Sequence, residues 1–130
     1  MIALLPPVLT GPAQILTEEN SEMDTRVITC PSFSIQEILA KRPITIGNCW
    51  HYEKSVTVVL IEGSGSVSWV HIDENDCAFC EPILQPLMAS HYVTIPAGVA
   101  YKIEIEANSR ISIASSSPLL EEDTEIMQLK

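Results

Sequence analysis

Short apolar segments, each closed by a turn sequence, follow one another from residue 44 to residue 115 and constrain the fold more than any other feature. Alternation of apolar and polar residues over a short run is typical of half-buried strands. Hairpins are expected at Gly63-Ser64-Gly65, at Pro96-Ala97-Gly98 and at Ala107-Asn108-Ser109. Short antiparallel strands at this spacing predict an all-β sandwich or small barrel. The predicted strands are 26–30, 44–47, 56–62, 66–73, 91–95, 101–106, 110–115 and, last, 125–129.

The first 25 residues differ in composition from the rest of the chain. Pro6 and Pro7 are followed by Gly11, Pro12 and an acidic stretch, which predicts an irregular arm with one short strand. The apolar residues of this arm are too numerous for a free tail, so we expect it to lie across the body of the domain or across a second subunit. The chain therefore divides into an N-terminal arm, 1–25, and a β-barrel domain, 26–130.

One helical signal interrupts the β pattern. Ser34 with Glu37 three residues later resembles a capping box, apolar residues at 35, 38 and 39 have helical spacing, and Pro43 closes the segment. We expect a short helix here, and at most one or two short helices in the chain. The interval 74–90, which contains two prolines, is predicted to be an insertion loop.

Composition excludes several classes of partner. The 130 residues, 46% of them apolar, provide enough material for one domain with a single core. Seven basic residues face seventeen acidic ones, and the formal net charge of -10 repels phosphate backbones and anionic lipid headgroups, so neither nucleic acid nor membrane is expected as a partner. No apolar run is long enough to cross a bilayer, and four unevenly spaced cysteines do not indicate a secreted disulfide framework. We expect reduced thiols and a cytoplasmic location.

Two stretches of the predicted strands resemble a known family. VTVVLIEGSGSV at 56–67 and YVTIPAGVAYKIEIE at 92–106 look like the two sequence motifs of the cupin superfamily, in the same order and with a similar separation. The resemblance covers roughly residues 44–115 and rests on the Glu-Gly-Ser-Gly-Ser-Val and Ile-Pro-Ala-Gly segments. It implies a single-domain double-stranded β-helix, or jelly roll, and a site inside the barrel.

The same resemblance implies where metal ligands would stand. With Gly63 as the anchor, Cys49 occupies the position of the first motif histidine, His51 that of the second and Val56 that of the glutamate. In the second motif, Tyr101 occupies the position of the last histidine ligand. One of four cupin ligands is therefore retained, and the metal-binding motifs are degenerate.

Two interpretations of this degenerate site remain open. Cys49, His51 and Tyr101 could hold a divalent transition metal, because thiolate and imidazole are good ligands and phenolate an occasional one. Alternatively, no cofactor is bound, and Tyr101 fills the space that a metal and its histidine would occupy. We expect the second, because valine at 56 removes the carboxylate. Glu53 could replace that carboxylate if the chain bulges, although Glu53 and Lys54 more simply lie in a turn that faces solvent.

Other side chains are candidates for binding a small molecule. Trp69 and His71 share one face of a predicted strand, and His91 opens the strand before the Pro-Ala-Gly turn, so all three could line a pocket together with His51 and Tyr101. An aromatic wall inside a barrel suits a sugar or another ring compound. Cys77 and Cys80 are expected to be structural thiols of the insertion loop, with a zinc site completed by His71 or His91 as the alternative.

Three functional hypotheses follow from these residues. The favoured one is a cupin-like module without catalytic activity that binds a small molecule or forms a homodimer. The second is a cupin enzyme, either a metal-dependent dioxygenase with a Cys49, His51, Tyr101 site or a metal-free sugar isomerase or epimerase whose base is His51, His71 or Tyr101. The third is an unrelated β-sandwich that binds proteins.

Overall fold

The computed structural model of the chain describes residues 8–72, 81–116, 123–127 and 129. Cys77 and Cys80 lie outside these ranges. No α-helix occurs in the described residues, and so none of them forms a helix that could cross a membrane. The strands are β1 (Gln14–Glu19), β2 (Met23–Cys30), β3 (Phe33–Ala40), β4 (Ile44–His51), β5 (Val56–Glu62), β6 (Ser64–His71), β7 (Ile83–Met88), β8 (Tyr92–Ile95), β9 (Val99–Ile105), β10 (Arg110–Ser115) and β11 (Thr124–Ile126).

The strands form two antiparallel sheets. Sheet A has the order β1-β2-β3-β10-β5-β8, and sheet B has the order β11-β4-β9-β6-β7. Consecutive strands repeatedly lie in different sheets, as in a jelly roll. The all-β architecture predicted from the sequence is therefore confirmed.

The main core lies between the two sheets. Val56, Val58 and Leu60 of β5 and Ile103 and Ile105 of β9 belong to one cluster of buried side chains. Alternate residues of each strand point to opposite faces, so these positions are buried while their neighbours are more exposed. Burial of such apolar surface, worth about 25 cal/mol per Å², is the main force holding the sheets together.

The three predicted hairpin turns are instead corners between the sheets. Each of the turns 63–65, 96–98 and 107–109 joins a strand of one sheet to a strand of the other, so the hairpin prediction is wrong at all three. Two corners touch: Ser109 Oγ accepts a hydrogen bond from Ser64 N and donates one to Ser64 O, both at 3.2 Å. Gly63 is required here, because its φ is +97° and a Cβ would lie 2.6 Å from Ser109 Cβ.

The predicted helix near Ser34 is wrong, because these residues form strand β3. Hydrogen bonding to β2 on one side and to β10 on the other outweighs the local capping pattern. Ser34, placed at the helix start by the sequence, is instead buried and hydrogen-bonded through its hydroxyl to Ser115 Oγ at 2.6 Å. The insertion loop predicted from its prolines is also partly wrong, because residues 83–88 form strand β7. β7 lies at the edge of sheet B, where a proline such as Pro86 is tolerated.

The described part of the N-terminal arm contributes one edge strand. β1 pairs with β2, with Ile15 opposite Ile28 and Leu16 opposite Val27. Every residue of β1 is exposed, and the side chains of Ile15 and Leu16 are 58% and 71% exposed. This edge of sheet A therefore has no cover from the described residues of the chain.

Candidate functional site

Three candidate side chains form one row across sheet B. Cys49 of β4 pairs with Tyr101 of β9, which pairs with Trp69 of β6. Residues directly opposite each other on neighbouring strands point to the same face of a sheet. All three contribute to the main core, so the row faces the barrel interior, as predicted for Tyr101.

A bulge in β4 places Cys49 in this row. The register between β4 and β9 shifts between Gly47 and Cys49, and both Gly47 and Asn48 have positive φ, at 100° and 55°. The extra residue re-aims the strand beyond it. Gly47 is needed for the close approach, because a Cβ there would lie 2.7 Å from the carbonyl oxygen of Tyr101.

His51 and Tyr101 meet inside the barrel. The Tyr101 hydroxyl is 2.9 Å from His51 Nε2, and His51 Nδ1 is 3.0 Å from Thr124 Oγ1. The two residues are only 5% and 6% exposed. The predicted convergence of the lone imidazole and the phenol on one interior face is therefore observed, and the two groups bind each other.

Burial keeps the members of this pair uncharged. Desolvation raises the pKa of the Tyr101 phenol well above its usual range, and a hydrogen bond with Cys49 raises it further. Desolvation also lowers the pKa of His51, and the positive charge of Lys54 lowers it further. A neutral Tyr101 can then donate to Nε2 while His51 Nδ1–H donates to Thr124. The Cys49 thiol, whose pKa is raised by burial, remains protonated and a poor nucleophile.

Lys54 is the residue that the sequence analysis placed wrongly. Glu53 is exposed, as expected, but Lys54 is only 2% exposed. Its Nζ is buried and has no hydrogen-bond partner among the described residues. The turn is held from the far end of the chain, because the carboxylate of Asp123 accepts the backbone N–H of Glu53 at 2.8 Å and that of Lys54 at 3.2 Å.

The C-terminal segment that supplies Asp123 and Thr124 is fastened to the β4 edge of sheet B. β11 pairs with β4, Met127 N donates to Asn48 O at 2.8 Å, and Leu129 N donates to Asn48 Oδ1 at 3.1 Å. A second, smaller core fixes it there, made of Trp50, Val70, Ala100 and Leu129. Trp50 thus has a packing role, which is the ordinary role expected of it.

An open groove lies beside the buried pair, between the edge strands of the two sheets. Its volume is about 270 Å³, and it is lined by Trp69 and His71 of β6, Gln85 of β7, residues 93–96 and Val99. The Trp69 and His71 rings meet edge to face with centroids 5.9 Å apart. The groove is mainly apolar on the β8 side, and the two rings form its opposite wall.

The predicted site residues therefore separate into two groups. Trp69 and His71 line the groove, whereas Cys49, His51 and Tyr101 do not. His91 belongs to neither group: it is exposed before β8, where its backbone N–H donates to Met88 O and its carbonyl accepts from Leu60 N. The prediction that His91 shares a pocket with the others is not supported by this placement.

The residues at the cupin ligand positions do not fit a metal centre. Val56 is 1% exposed and offers no atom that could coordinate a metal. The Nε2 atom of His51 is already hydrogen-bonded to the Tyr101 hydroxyl. Among the described residues, no three His, Cys, Asp or Glu side chains are close enough together to hold an ion. Metal sites depend on ligand number and geometry, and neither is met here.

A second groove, of about 300 Å³, lies on the arm side of sheet A and is lined by charged residues of β1, β2 and β3. Arg26 and Glu37 form an ion pair of 2.5 Å across it. Asp24 is likewise paired, with Lys41 Nζ at 2.9 Å. The charges of Asp24, Arg26 and Glu37 at this groove are therefore already engaged in ion pairs.

Comparison with solved structures identifies the fold. CapF of Staphylococcus aureus, a capsular polysaccharide assembling protein, superimposes with a TM-score of 0.71 over 89% of this chain at 22% identity. Oxalate decarboxylase of Bacillus subtilis superimposes with a TM-score of 0.67 over 94% of the chain at 12% identity, and that of Lactobacillus farciminis with 0.64 over 93% at 12%. The fold is that of the cupins.

The cupin likeness concerns the fold alone, because every identity is below 25%. The chain spans about a third of the length of these proteins, 35% of CapF and 34% and 37% of the two decarboxylases. The sequence itself matches no protein-family model and no curated protein. The jelly-roll fold that the two motifs implied is confirmed.

Proposed function

We propose that this protein is a cupin-fold module that binds a small, ring-containing molecule in the groove between Trp69 and β8, without catalysis by the buried residues. One observation carries the proposal: the open groove and the closed His51–Tyr101 pair are separate. The groove can accept a ligand, whereas the groups that a cupin would use for chemistry are hydrogen-bonded to each other.

The walls of the groove suggest the ligand class. Trp69 and His71 offer ring faces and edges, and Val93 and Ile95 of β8 offer an apolar surface opposite. The volume of about 270 Å³ is near the lower end of small-molecule sites, which suits one sugar or aromatic ring. A neutral or weakly polar ligand is favoured further by the net charge of -10, which repels anions.

The isomerase alternative depends on a base that can reach the ligand. His51 and Tyr101 are buried away from the groove, and the raised pKa of Tyr101 makes its phenolate rare. His71, which lines the groove, is the remaining candidate base. Binding without turnover is therefore favoured, and a sugar that is both bound and converted would support the enzyme instead.

The test is a titration by ¹H–¹⁵N NMR with a panel of monosaccharides and small neutral aromatic compounds. We expect at least one probe to shift the Trp69 indole signal saturably, and Trp69→Ala to weaken that binding about tenfold or more. Tyr92→Ala is the matched control, since Tyr92 is an exposed aromatic of β8 outside the groove lining. Binding that survives Trp69→Ala unchanged, or a panel that shifts no groove signal, would contradict the proposal.

We also propose that the module is a homodimer that pairs through the β1 edge. Support comes from Ile15 and Leu16, exposed on a sheet edge whose backbone groups are available for another strand. A second copy offers the same edge, so two β1 strands could pair antiparallel about a two-fold axis. Analytical ultracentrifugation should give twice the monomer mass, and Leu16→Lys should give the monomer. Tyr92→Lys, at the opposite edge of sheet A, should leave the dimer intact. A native protein that sediments as a monomer would exclude the proposed homodimer.

The cytoplasm remains the proposed compartment. Cys30 and Cys49 are free thiols, and reduced cysteines suit a reducing environment.

A further inference from the structure

One amide side chain projects into the groove from the edge of sheet B. Gln85 of β7 lies directly opposite Val67 of β6, and Val67 is buried in the main core. Directly opposite residues point to the same face of a sheet, so the Gln85 side chain is directed to the interior side of sheet B. Gln85 lines the groove there, whereas its neighbours Leu84 and Pro86 point to the other face.

Gln85 is within reach of a ring that lies on Trp69. Trp69 pairs with Ile83, so Gln85 is its diagonal neighbour two residues along β7. Diagonal positions on paired strands are about 7–8 Å apart, a distance that long side chains can span. Because the two side chains rise from the same sheet side by side, a flat ligand stacked on the indole would present its edge to the carboxamide.

The carboxamide is also the polar group of the groove that is open to a ligand. The Thr94 hydroxyl is hydrogen-bonded to Thr57 Oγ1 at 3.1 Å, and the His71 ring is in edge-to-face contact with Trp69. Within residues 8–72, 81–116, 123–127 and 129, the Gln85 carboxamide makes no hydrogen bond. In a mainly apolar site, a few polar groups of this kind fix the orientation of a ligand and give specificity.

The chemistry of a carboxamide defines the ligand edge that it would recognise. It offers a carbonyl acceptor and an N–H donor side by side. A ligand edge with its own N–H beside a C=O can form two parallel hydrogen bonds with it, the bidentate pattern by which glutamine recognises adenine. The ring wall of Trp69 and the aliphatic wall of β8 suit a flat ring with two apolar faces better than a sugar, whose hydroxyls surround the ring.

We infer that Gln85 determines the specificity of the groove and selects planar heterocycles with a lactam-type edge, that is, an N–H next to a C=O. This inference rests on the proposed binding function and narrows its ligand class. Monosaccharides and plain aromatic rings should bind more weakly than such heterocycles.

The probes are 2-pyridone and N-methyl-2-pyridone, which have similar ring faces and differ in the N–H. Binding is followed through the Trp69 indole signal in ¹H–¹⁵N NMR spectra. We expect the wild-type protein to bind 2-pyridone about fivefold or more tightly than the methylated ring, because the methyl group leaves the carbonyl oxygen of Gln85 without a donor. In Gln85→Met, which keeps the side-chain length, the two affinities should agree within about twofold.

Gln85→Glu reverses the expected preference. A carboxylate only accepts hydrogen bonds, so this variant should favour protonated 2-aminopyridine, which presents two N–H donors, over 2-pyridone by about tenfold relative to the wild-type protein. Gln14→Met is the matched control, since Gln14 is an exposed glutamine of the edge strand β1, outside the groove lining, and its loss should leave the preference for 2-pyridone unchanged.

The outcomes separate this inference from the proposed function. Equal affinity of the wild-type protein for the two pyridones would overturn the inference and leave the groove as a binding site. The same holds if Gln85→Met keeps the full preference, or if only monosaccharides bind. A groove that binds none of the pyridones, sugars or neutral aromatic compounds would overturn both the inference and the proposed function.

Discussion

Tyr101 and His51, 50 positions apart in the sequence, are joined by a 2.9 Å hydrogen bond between the phenol oxygen and Nε2. Both residues are buried, and both stand at positions where the resemblance to the cupin motifs implies metal ligands. In this chain the two side chains satisfy each other, and Thr124 takes the other imidazole nitrogen. The barrel interior is therefore closed by a polar pair, and an open groove remains beside it at Trp69.

Tyr101→Phe tests the energy of this pair. The change removes the hydroxyl and leaves His51 Nε2 buried without its partner, which should cost about 1–3 kcal/mol in the free energy of unfolding. Urea denaturation followed by circular dichroism measures the loss. Tyr92→Phe removes a hydroxyl from an exposed side chain and should change stability by less than about 0.5 kcal/mol. Equal effects of the two changes would contradict the account.

The lowered pKa of His51 predicts a dependence of stability on acid. Between the ordinary histidine pKa of 6.5 and the lower folded value, the unfolded chain holds a proton that the folded protein lacks. Stability should therefore fall as the pH drops below about 6.5 and level off below the folded pKa. His51→Gln should lack this component. Unfolding free energies from pH 8 to pH 5 that run parallel in the two proteins would exclude it.

Gly63 and Gly98 make a matched pair, because both have positive φ, at 97° and 81°. A Cβ at Gly98 meets nothing within 4 Å, so Gly98→Ala should cost only the backbone strain, about 1–2 kcal/mol. A Cβ at Gly63 would also lie 2.6 Å from Ser109 Cβ, and Gly63→Ala should cost clearly more. The midpoints of thermal unfolding of the two variants measure these stability losses. Similar losses for both would show that the backbone at Gly63 can shift to make room for a Cβ atom.

Lys54→Met should stabilise the protein. It removes a buried amine that has no hydrogen-bond partner among the described residues and replaces it with an apolar chain of similar length. We expect a gain of about 1–3 kcal/mol in the free energy of unfolding at neutral pH. A clear loss of stability would mean that the ammonium has a stabilising partner, and would weaken the view of Lys54 as a group retained at an energetic cost.

Local patterns predicted most strands but not their partners. β5 and β10 have the bounds predicted for them, 56–62 and 110–115, because each has a clear alternation between turns. At β3 the apolar residues 35, 38 and 39 suit a helix as well as a strand, and only pairing with β2 and β10 decides between them. Glycine turns likewise reveal a change of direction without revealing whether the next strand joins the same sheet.

The same limit applies to the site. Motif spacing was sufficient to place Tyr101 and His51 on one interior face, because it counts residues along strands of known periodicity. Lys54 could not be found in this way, since its burial depends on a turn held by Asp123, 69 positions away. A lysine next to a glutamate in a turn normally predicts two exposed side chains. An acidic cluster such as the one near the C-terminus normally predicts a solvated loop.

The central claim is that the interior pair replaces a metal centre. A crystal structure of untagged protein, with anomalous diffraction collected at the edges of iron, nickel and zinc, tests it most directly. The account predicts Tyr101 OH and His51 Nε2 in hydrogen-bond contact near 2.9 Å and no anomalous peak beside Cys49. An ion bound between Cys49 and His51, with the phenol turned towards it, would contradict the account.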